Sequence, residues 1–590
     1  MIQFGNTQVT LSQPPRLLWA YNKRAKTGQA HFSGPPRFEC RQSLRLHRAH
    51  APTYLPTMAA FPSAAVDPVT GQAGPTSRSI QNPQVFTLAP QLLAASPFPD
   101  CPHGATLMSE AGREVSFKVW APHAASVSLL LQGTLAAATS RLEHVASLGF
   151  TAVQLMPISE HSDAWGYNPR LLMALHGAYG TPDDLRRFVD KAHSLGLGVI
   201  IDVVLHHGAV DGNSLWEYDG WGPDWNGGIY HEGGHDTQWG RGFAFWKREV
   251  LAMAEAACAT WLCDFRCDGL RFDSANDLPR EAIQYLTWSL RQRFPGRILT
   301  AEVTPENPQS VHELGFDSVW VHSGYFDIIQ QHRALGRGHH GGGDWAAGWD
   351  LPRLRTVMAL HPGFTSPTQC IKYLLGSHDQ VGCRNGGAWY KDYEMIGGQH
   401  RYAVDQYGGG RGDWSARASS RLWYTANVAA AGLPMMFMGT EFAQSGWWDV
   451  VPDRRLQWSL STDEVGTHSK ALVAGANELR NRFPALRRGW ANILHEDRAN
   501  GVVAFERVIE GETRLVAVIN AGRKSWLGGD YGVWVGQAAG QLEEVFCSQA
   551  TEFGGNVESG RANNEPRAMY DGKIWINLPD QCTLVFQHTL

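Results

Sequence analysis

The chain has 590 residues, with 51 Lys and Arg against 56 Asp and Glu and a formal net charge of −5. That length gives room for several domains and a large core, and the mild acidity excludes the basic footprint of a nucleic-acid binder. No apolar run is long enough to cross a bilayer, so no membrane span is expected.

Residues 1 to about 100 do not read as a folded domain. The first 66 carry Arg16, Lys23, Arg24, Lys26, Arg37, Arg41, Arg45 and Arg48 against one acid, Glu39. Without an apolar core segment this is the composition of an organelle transit peptide, or else of a basic disordered tail. From Val115 a strand pattern begins, and Ser126 to Leu131 reads as a second strand. The two make a truncated β-module over 113–133. Thr134 to Leu148 is already helical.

Strand and helix then alternate. Strands are expected at 152–157, 198–205, 268–273, 297–302, 318–321, 370–377 and 434–438. Helices are expected at 182–195, 243–265, 279–294, 416–431 and 468–483. Near-continuous apolar strands separated by helices imply a parallel sheet, and this many units imply an α/β fold, a (β/α)₈ barrel over 134–486. No dedicated first barrel strand is visible, and 126–132 is expected to fill its place beside 152–157. Beyond Ala485 short alternating strands at 502–508, 514–520, 574–578 and 583–587 imply a C-terminal all-β sandwich, 487–590. The nine cysteines are scattered. Cys258, Cys263 and Cys267 fit no zinc spacing and read as reduced, buried thiols.

Working residues of a barrel lie where strands end. Asp202, His206 and His207 follow one strand. Arg271 and Asp273 end the next, Glu302 ends another, and His378-Asp379 follow a fourth. Glu160-His161 and Trp165-Gly166-Tyr167 follow the strand at 152–157. Carboxylates without metal-ligand spacing suit acid–base chemistry. Retaining glycoside cleavage needs a carboxylate nucleophile and a protonated acid. Arg271 beside Asp273 is expected to keep that carboxyl ionised, as a nucleophile requires. Burial of Glu302 in an apolar run is expected to keep it protonated. Asp379 is placed to hold sugar hydroxyls.

Asp202-Val-Val-Leu-His-His207, Gly269-Leu-Arg-Phe-Asp273, Glu302 and His378-Asp379 resemble, in order and spacing, the four short motifs of the α-amylase family of glycoside hydrolases and transglycosylases. The resemblance covers about 115–590. It implies a (β/α)₈ barrel with an N-terminal carbohydrate-binding-like β-module and a C-terminal β-sandwich, and with Asp273 as nucleophile, Glu302 as general acid/base and Asp379 as transition-state stabiliser. Asp202, His207, Arg271 and His378 are implied as sugar or carboxylate contacts, and Tyr167 as a stacking platform. Met156-Pro-Ile-Ser-Glu-His161, Ser377-His-Asp-Gln380, Phe437 to Gln444 and Arg455-Leu-Gln-Trp458 resemble 1,4-α-glucan branching enzymes. The implied partner is an α-1,4-glucan such as amylose, amylopectin or glycogen. A related α-glucan hydrolase of the malto-oligosyltrehalose trehalohydrolase type, or an inactive glucan-binding protein, are the alternatives.

No cofactor is implied. His206 stands where many amylases carry a calcium-supporting Asn, so no metal is expected. A monomer is favoured, and a plastid location is favoured over mitochondrion or cytoplasm. The Trp-rich stretches 208–242 and 338–349, with Trp447-Trp448, are candidate glucan platforms.

Overall fold

Seven strands lie side by side in chain order in the computed structural model. They are Ala152–Leu155, Gly198–Val203, Gly269–Phe272, Ile298–Ala301, Ser318–Val321, Cys370–Lys372 and Leu433–Pro434. Every neighbouring pair is parallel. The structure describes 133–213, 215, 228–230, 237, 239–336, 349–382, 401–450, 454–537 and 540–589, together with six short strands before residue 133. The other residues of the first 100, on which the transit-peptide reading falls, lie outside the described residues. So do most of 214–238 and all of 338–348.

Parallel strands need long crossovers, and helices supply them. Pro182–Ser194 links the first two strands, Arg248–Ala259 the next two, Arg280–Arg293 the next, and Trp414–Ala429 the last two. The first of these starts at a capping box. Thr181 Oγ1 accepts from the Asp184 N–H, and the Asp184 carboxylate accepts from the Thr181 N–H. The helix expected from 243 begins at 248, and its last turn, Thr260–Asp264, widens into a π-helix. Gly269 opens the central strand because nothing larger fits. A Cβ there would stand 2.6 Å from the Ile298 carbonyl oxygen. All four residues of that strand are buried. This is a barrel sheet of TIM type, with seven strands among the described residues.

The stand-in for the first strand is not where it was expected. Ser128–Leu130 pairs antiparallel with Leu18–Ala20, and the seven-strand sheet ends at Ala152–Leu155 on one side and Leu433–Pro434 on the other. The sequence pattern could mark a strand but not its partner, which lies more than a hundred positions away. Within the same N-terminal unit, Gly104–Leu107 pairs with Val115–Lys118, and Ile2–Phe4 with Thr7–Val9. Cys263 is exposed, against expectation, while Cys258 and Cys267 are buried free thiols.

The C-terminal region is a two-sheet sandwich. A six-stranded antiparallel sheet runs in the order Trp490–Asp497, Val502–Val508, Leu515–Asn520, Cys582–Thr589, Gln541–Cys547, Arg567–Ala568. Trp526–Trp534 and Lys573–Leu578 form the second sheet. Strand alternation decides both faces. Val502, Ala504, Val516 and Val518 turn inward onto Val533, Ile574 and Ile576. Val503, Phe505, Ala517 and Ile519 turn the other way, onto Trp349, Leu422 and Trp423 of the barrel layer. Residues 133–590 accordingly form one compact unit. Buried cations lie at and beside this seam, and Arg507 crosses it. Arg507 donates to the Ala429, Ala430 and Gly489 carbonyls, and Arg480 to those of Val428, Gly432 and Leu486. Lys372 donates to the Val357 and Ala359 carbonyls. These carbonyls lie at the C-terminal ends of three helices, Leu351–Met358, Trp414–Ala429 and Pro484–Arg488, where the helix dipole favours positive charge.

Candidate active site

Arg271 is the hub. It is fully buried, and three carboxylates from three strands converge on it. Its Nη1 donates to Asp202 at 2.7 and 2.8 Å and to Asp273 at 2.5 Å. Its Nη2 stands 2.7 Å from Glu302 Oε2. The Trp320 ring lies under the guanidinium, 4.3 Å from Cζ. The register explains the convergence. Asp202 is opposite Arg271 in the parallel ladder, and Phe272 is opposite Ala301, so Asp273 and Glu302 leave their strands side by side.

One cation cannot neutralise three buried carboxylates. Burial, with Glu302 and Asp379 nearby, pushes Asp273 up to about 8 against the pull of Arg271. Burial likewise raises Asp202 to about 7. Glu302 is buried too, but Arg271, His322 and the Ser274 N–H together hold it down to about 2. The shifts therefore run opposite to the sequence expectation, with Asp273 raised and Glu302 lowered, because Arg271 divides its charge instead of serving Asp273 alone.

The other expected residues join the same network. Tyr167 donates its hydroxyl to Asp202 Oδ2 at 2.8 Å and lies 2.7 Å from His378 Nε2. The Tyr167 and His378 rings are stacked, 5.3 Å apart and 6° from parallel. Since the Tyr167 proton goes to Asp202, His378 Nε2 carries the hydrogen of that second bond. Burial lowers His378 to about 4, so it is neutral. Asp379 Oδ1 is 3.3 Å from His378 Nε2. Ser377 and Gln380 close the turn that presents this pair, with Gln380 Oε1 accepting from the Ser377 N–H and Oγ. His207 reaches the centre through His206. Its Nδ1 is 3.2 Å from His206 Nδ1, and its Nε2 is 3.4 Å from Asn168 Oδ1. All eight expected residues thus belong to one cluster.

Three further side chains join the network, and two of them, His322 and Asp163, were not singled out from the sequence. His206, read as following a strand and as standing where a calcium-supporting Asn is common, has Nε2 3.0 Å from Asp273 Oδ2. Burial lowers it to about 4, so it is neutral. His322 follows the strand Ser318–Val321 and stands 3.8 Å from Glu302. The strand-end rule applied to that fifth strand would have found it. Asp163 caps the loop that carries Tyr167. Its carboxylate accepts from the backbone N–H groups of Trp165, Gly166, Tyr167 and Asn168. Gly166 sits in that loop at φ 98°, where a Cβ would meet the Pro157 carbonyl oxygen at 2.3 Å.

Other expected contacts lie apart from the cluster. Glu160 pairs with Arg170 and His176, and His161 stacks on His176, within the hairpin 159–175 and the residue that follows it. Trp448 is buried against Trp165 and Phe437, which makes it a packing residue. Among the described residues no cluster of His, Cys, Asp and Glu has metal-binding geometry.

Residues 98–220 match the family described as alpha amylase, catalytic domain, and 490–589 match alpha amylase, C-terminal all-beta domain. A 1,4-alpha-glucan branching enzyme GlgB of Bordetella parapertussis is 30% identical over 464 residues, covering 70% of this chain and 56% of that protein. One of Xanthomonas euvesicatoria is 29% identical over 489 residues, covering 73% and 59%. The chain thus spans a little over half the length of these curated relatives. An Anoxybacillus alpha-amylase structure superposes with a TM-score of 0.59 at 21% identity, covering 78% of this chain and 90% of that one. The Geobacillus thermoleovorans alpha-amylase in complex with acarbose gives 0.59 at 20%, covering 78% and 93%. The barrel sheet, the C-terminal sandwich and these matches place the chain in the α-amylase family, glycoside hydrolase family 13, with a branching-enzyme-like sequence.

Proposed function

We propose that the chain is a 1,4-α-glucan branching enzyme. It would cut an α-1,4 linkage and pass the freed chain to a 6-hydroxyl, with retention. The observation that carries this reading is the pairing of Asp273 and Glu302 on the two nitrogens of one guanidinium. The names of the curated relatives support the choice of acceptor.

Asp273 and Glu302 share one proton, and it stands on Glu302 once a sugar occupies the cluster. The Asp273 carboxylate then attacks the anomeric carbon. Glu302 gives its proton to the leaving glucosyl oxygen, and a glycosyl–Asp273 ester forms. In the second step Glu302 takes the proton of an incoming 6-hydroxyl, whose oxygen displaces Asp273. Arg271 and the neutral His206 each donate a hydrogen bond to the departing Asp273 carboxylate. Asp379 and His378 are placed to hold ring hydroxyls. Water could take the acceptor's place at the same carboxylates, so the acceptor is the point to test.

Full-length protein is incubated with amylose while iodine staining and reducing ends are followed together. Falling stain with flat reducing ends, and short chains released by a debranching enzyme, is the expected result. Falling stain with rising reducing ends would make the chain a hydrolase. No change in a folded sample would leave it a glucan-binding protein.

A further inference from the structure

A cavity of about 330 Å³ lies between the helices Trp414–Ala429 and Glu464–Arg482 and the turn at 551–555. It shares no lining residue with the carboxylate cluster. Arg417 and Arg421 stand one helical turn apart on its wall. Arg421 is only 4% exposed, yet its hydrogen-bond partner is neutral, the Gln549 side-chain oxygen at 2.7 and 3.2 Å. Among the described residues the Arg417 side chain donates only to the Arg411 carbonyl. Neither arginine forms an ion pair among the described residues. Burial and the neighbouring Arg417 hold Arg421 down to about 10, as befits an uncompensated cation. Buried charge without a counter-charge is costly, and a bound anion would remove that cost.

The rest of the wall fits a small, ring-bearing anion. Thr440 is 7% exposed, and its hydroxyl has no hydrogen-bond partner. Trp414 and Phe553 also line it, with the Arg421 guanidinium 5.7 Å from the Trp414 ring and the Phe553 ring stacked on Phe546. Glu464 is the one carboxylate among the described lining residues, and it is exposed. The space exceeds what a bare phosphate fills and suits a ligand of monosaccharide size.

We propose that this cavity binds a phosphate monoester of a sugar, with the phosphate on Arg417 and Arg421 and the ring between Trp414 and Phe553. Guanidinium groups match phosphate oxygens in forked, charge-assisted bonds. The ligand would bridge the last barrel helices and the C-terminal sandwich.

The test is calorimetric titration of the full chain with glucose 6-phosphate at fixed ionic strength, with glucose and inorganic phosphate as controls. Saturable binding of the ester is expected, with glucose silent and inorganic phosphate at least tenfold weaker. Arg421→Gln should weaken the ester at least tenfold. Arg417→Gln should do the same, and because Arg417 is partly exposed that variant is expected to fold. Each variant's circular dichroism is compared with the parent. Overturning results would be no saturable binding to the parent, binding of glucose equal to that of its phosphate, inorganic phosphate as tight as the ester, or unchanged affinity in a folded Arg417→Gln.

Discussion

The middle and the ends of the barrel sheet differ in a way that bears on function. Every residue of Gly269–Phe272 and of Ser318–Val321 is buried. No residue of Ala152–Leu155 is fully buried, and Leu433–Pro434 is half-buried. A closed barrel has no ends. Here the strands with two neighbours carry Asp202, Arg271, Asp273 and Glu302, and the strands with one neighbour carry none of the paired carboxylates. Tyr167 follows an end strand, and it is held instead by the Asp163 cap and by His378. The chemistry rests where packing is complete, and the end that contributes to it needs a separate fastening.

Removing the hub should have the largest effect. Arg271→Met would leave three buried carboxylates without their shared cation. We expect turnover to vanish and stability to fall by about 3–5 kcal/mol, read from denaturant unfolding. Packing variants measure the contrast directly. Phe272→Ala in the centre should cost about 3–5 kcal/mol, and Leu155→Ala at the half-buried end only about 1 kcal/mol. Equal losses would show that the end strand is as well covered as the centre.

The third test is pH. The Asp273–Glu302 pair holds one proton between about 2 and about 8, so kcat/KM should fall on the alkaline side with a midpoint near 8. Stability carries the same signature. The folded pKa of Asp273 lies above its unfolded value, so its stabilising contribution is complete below pH of about 4 and is lost as pH rises through about 8. Asp273→Asn should remove that decline in a stability titration.

The last test is at the fastening. Asp163→Ala should cost about 1–2 kcal/mol, as loss of a cap does, while lowering kcat about tenfold or more through misplacement of Tyr167. Unchanged kcat would mean that the loop holds its shape without the cap.

The barrel was legible because each functional carboxylate follows an apolar strand, so Asp202, Asp273 and Glu302 announce both the strand end and the site. The protonation was not legible. It depends on Arg271 reaching side chains from two other strands, and local sequence cannot count how many partners share a charge. Trp526–Trp534 was missed because Gly528, Gly529 and Gly532 read as a loop. Gly532 packs beneath the Trp575 ring, whose atoms begin 3.2 Å from where a Cβ would stand, so the glycine serves a cross-strand contact. The first-strand gap was visible in the sequence, but the choice of partner for Ser128–Leu130 is non-local.

The arginine clamps at the seam bear on how such a chain can change over evolutionary time. Arg507 belongs to the sandwich, yet it serves the Ala429 and Ala430 carbonyls at the end of a barrel helix. A replacement sandwich lacking a cation at this position would strand those acceptors in a dry interior. Recombination with breakpoints near residue 488 should therefore produce few viable chimeras. The two halves behave as one heritable cassette, more free to vary around their rims than to trade partners.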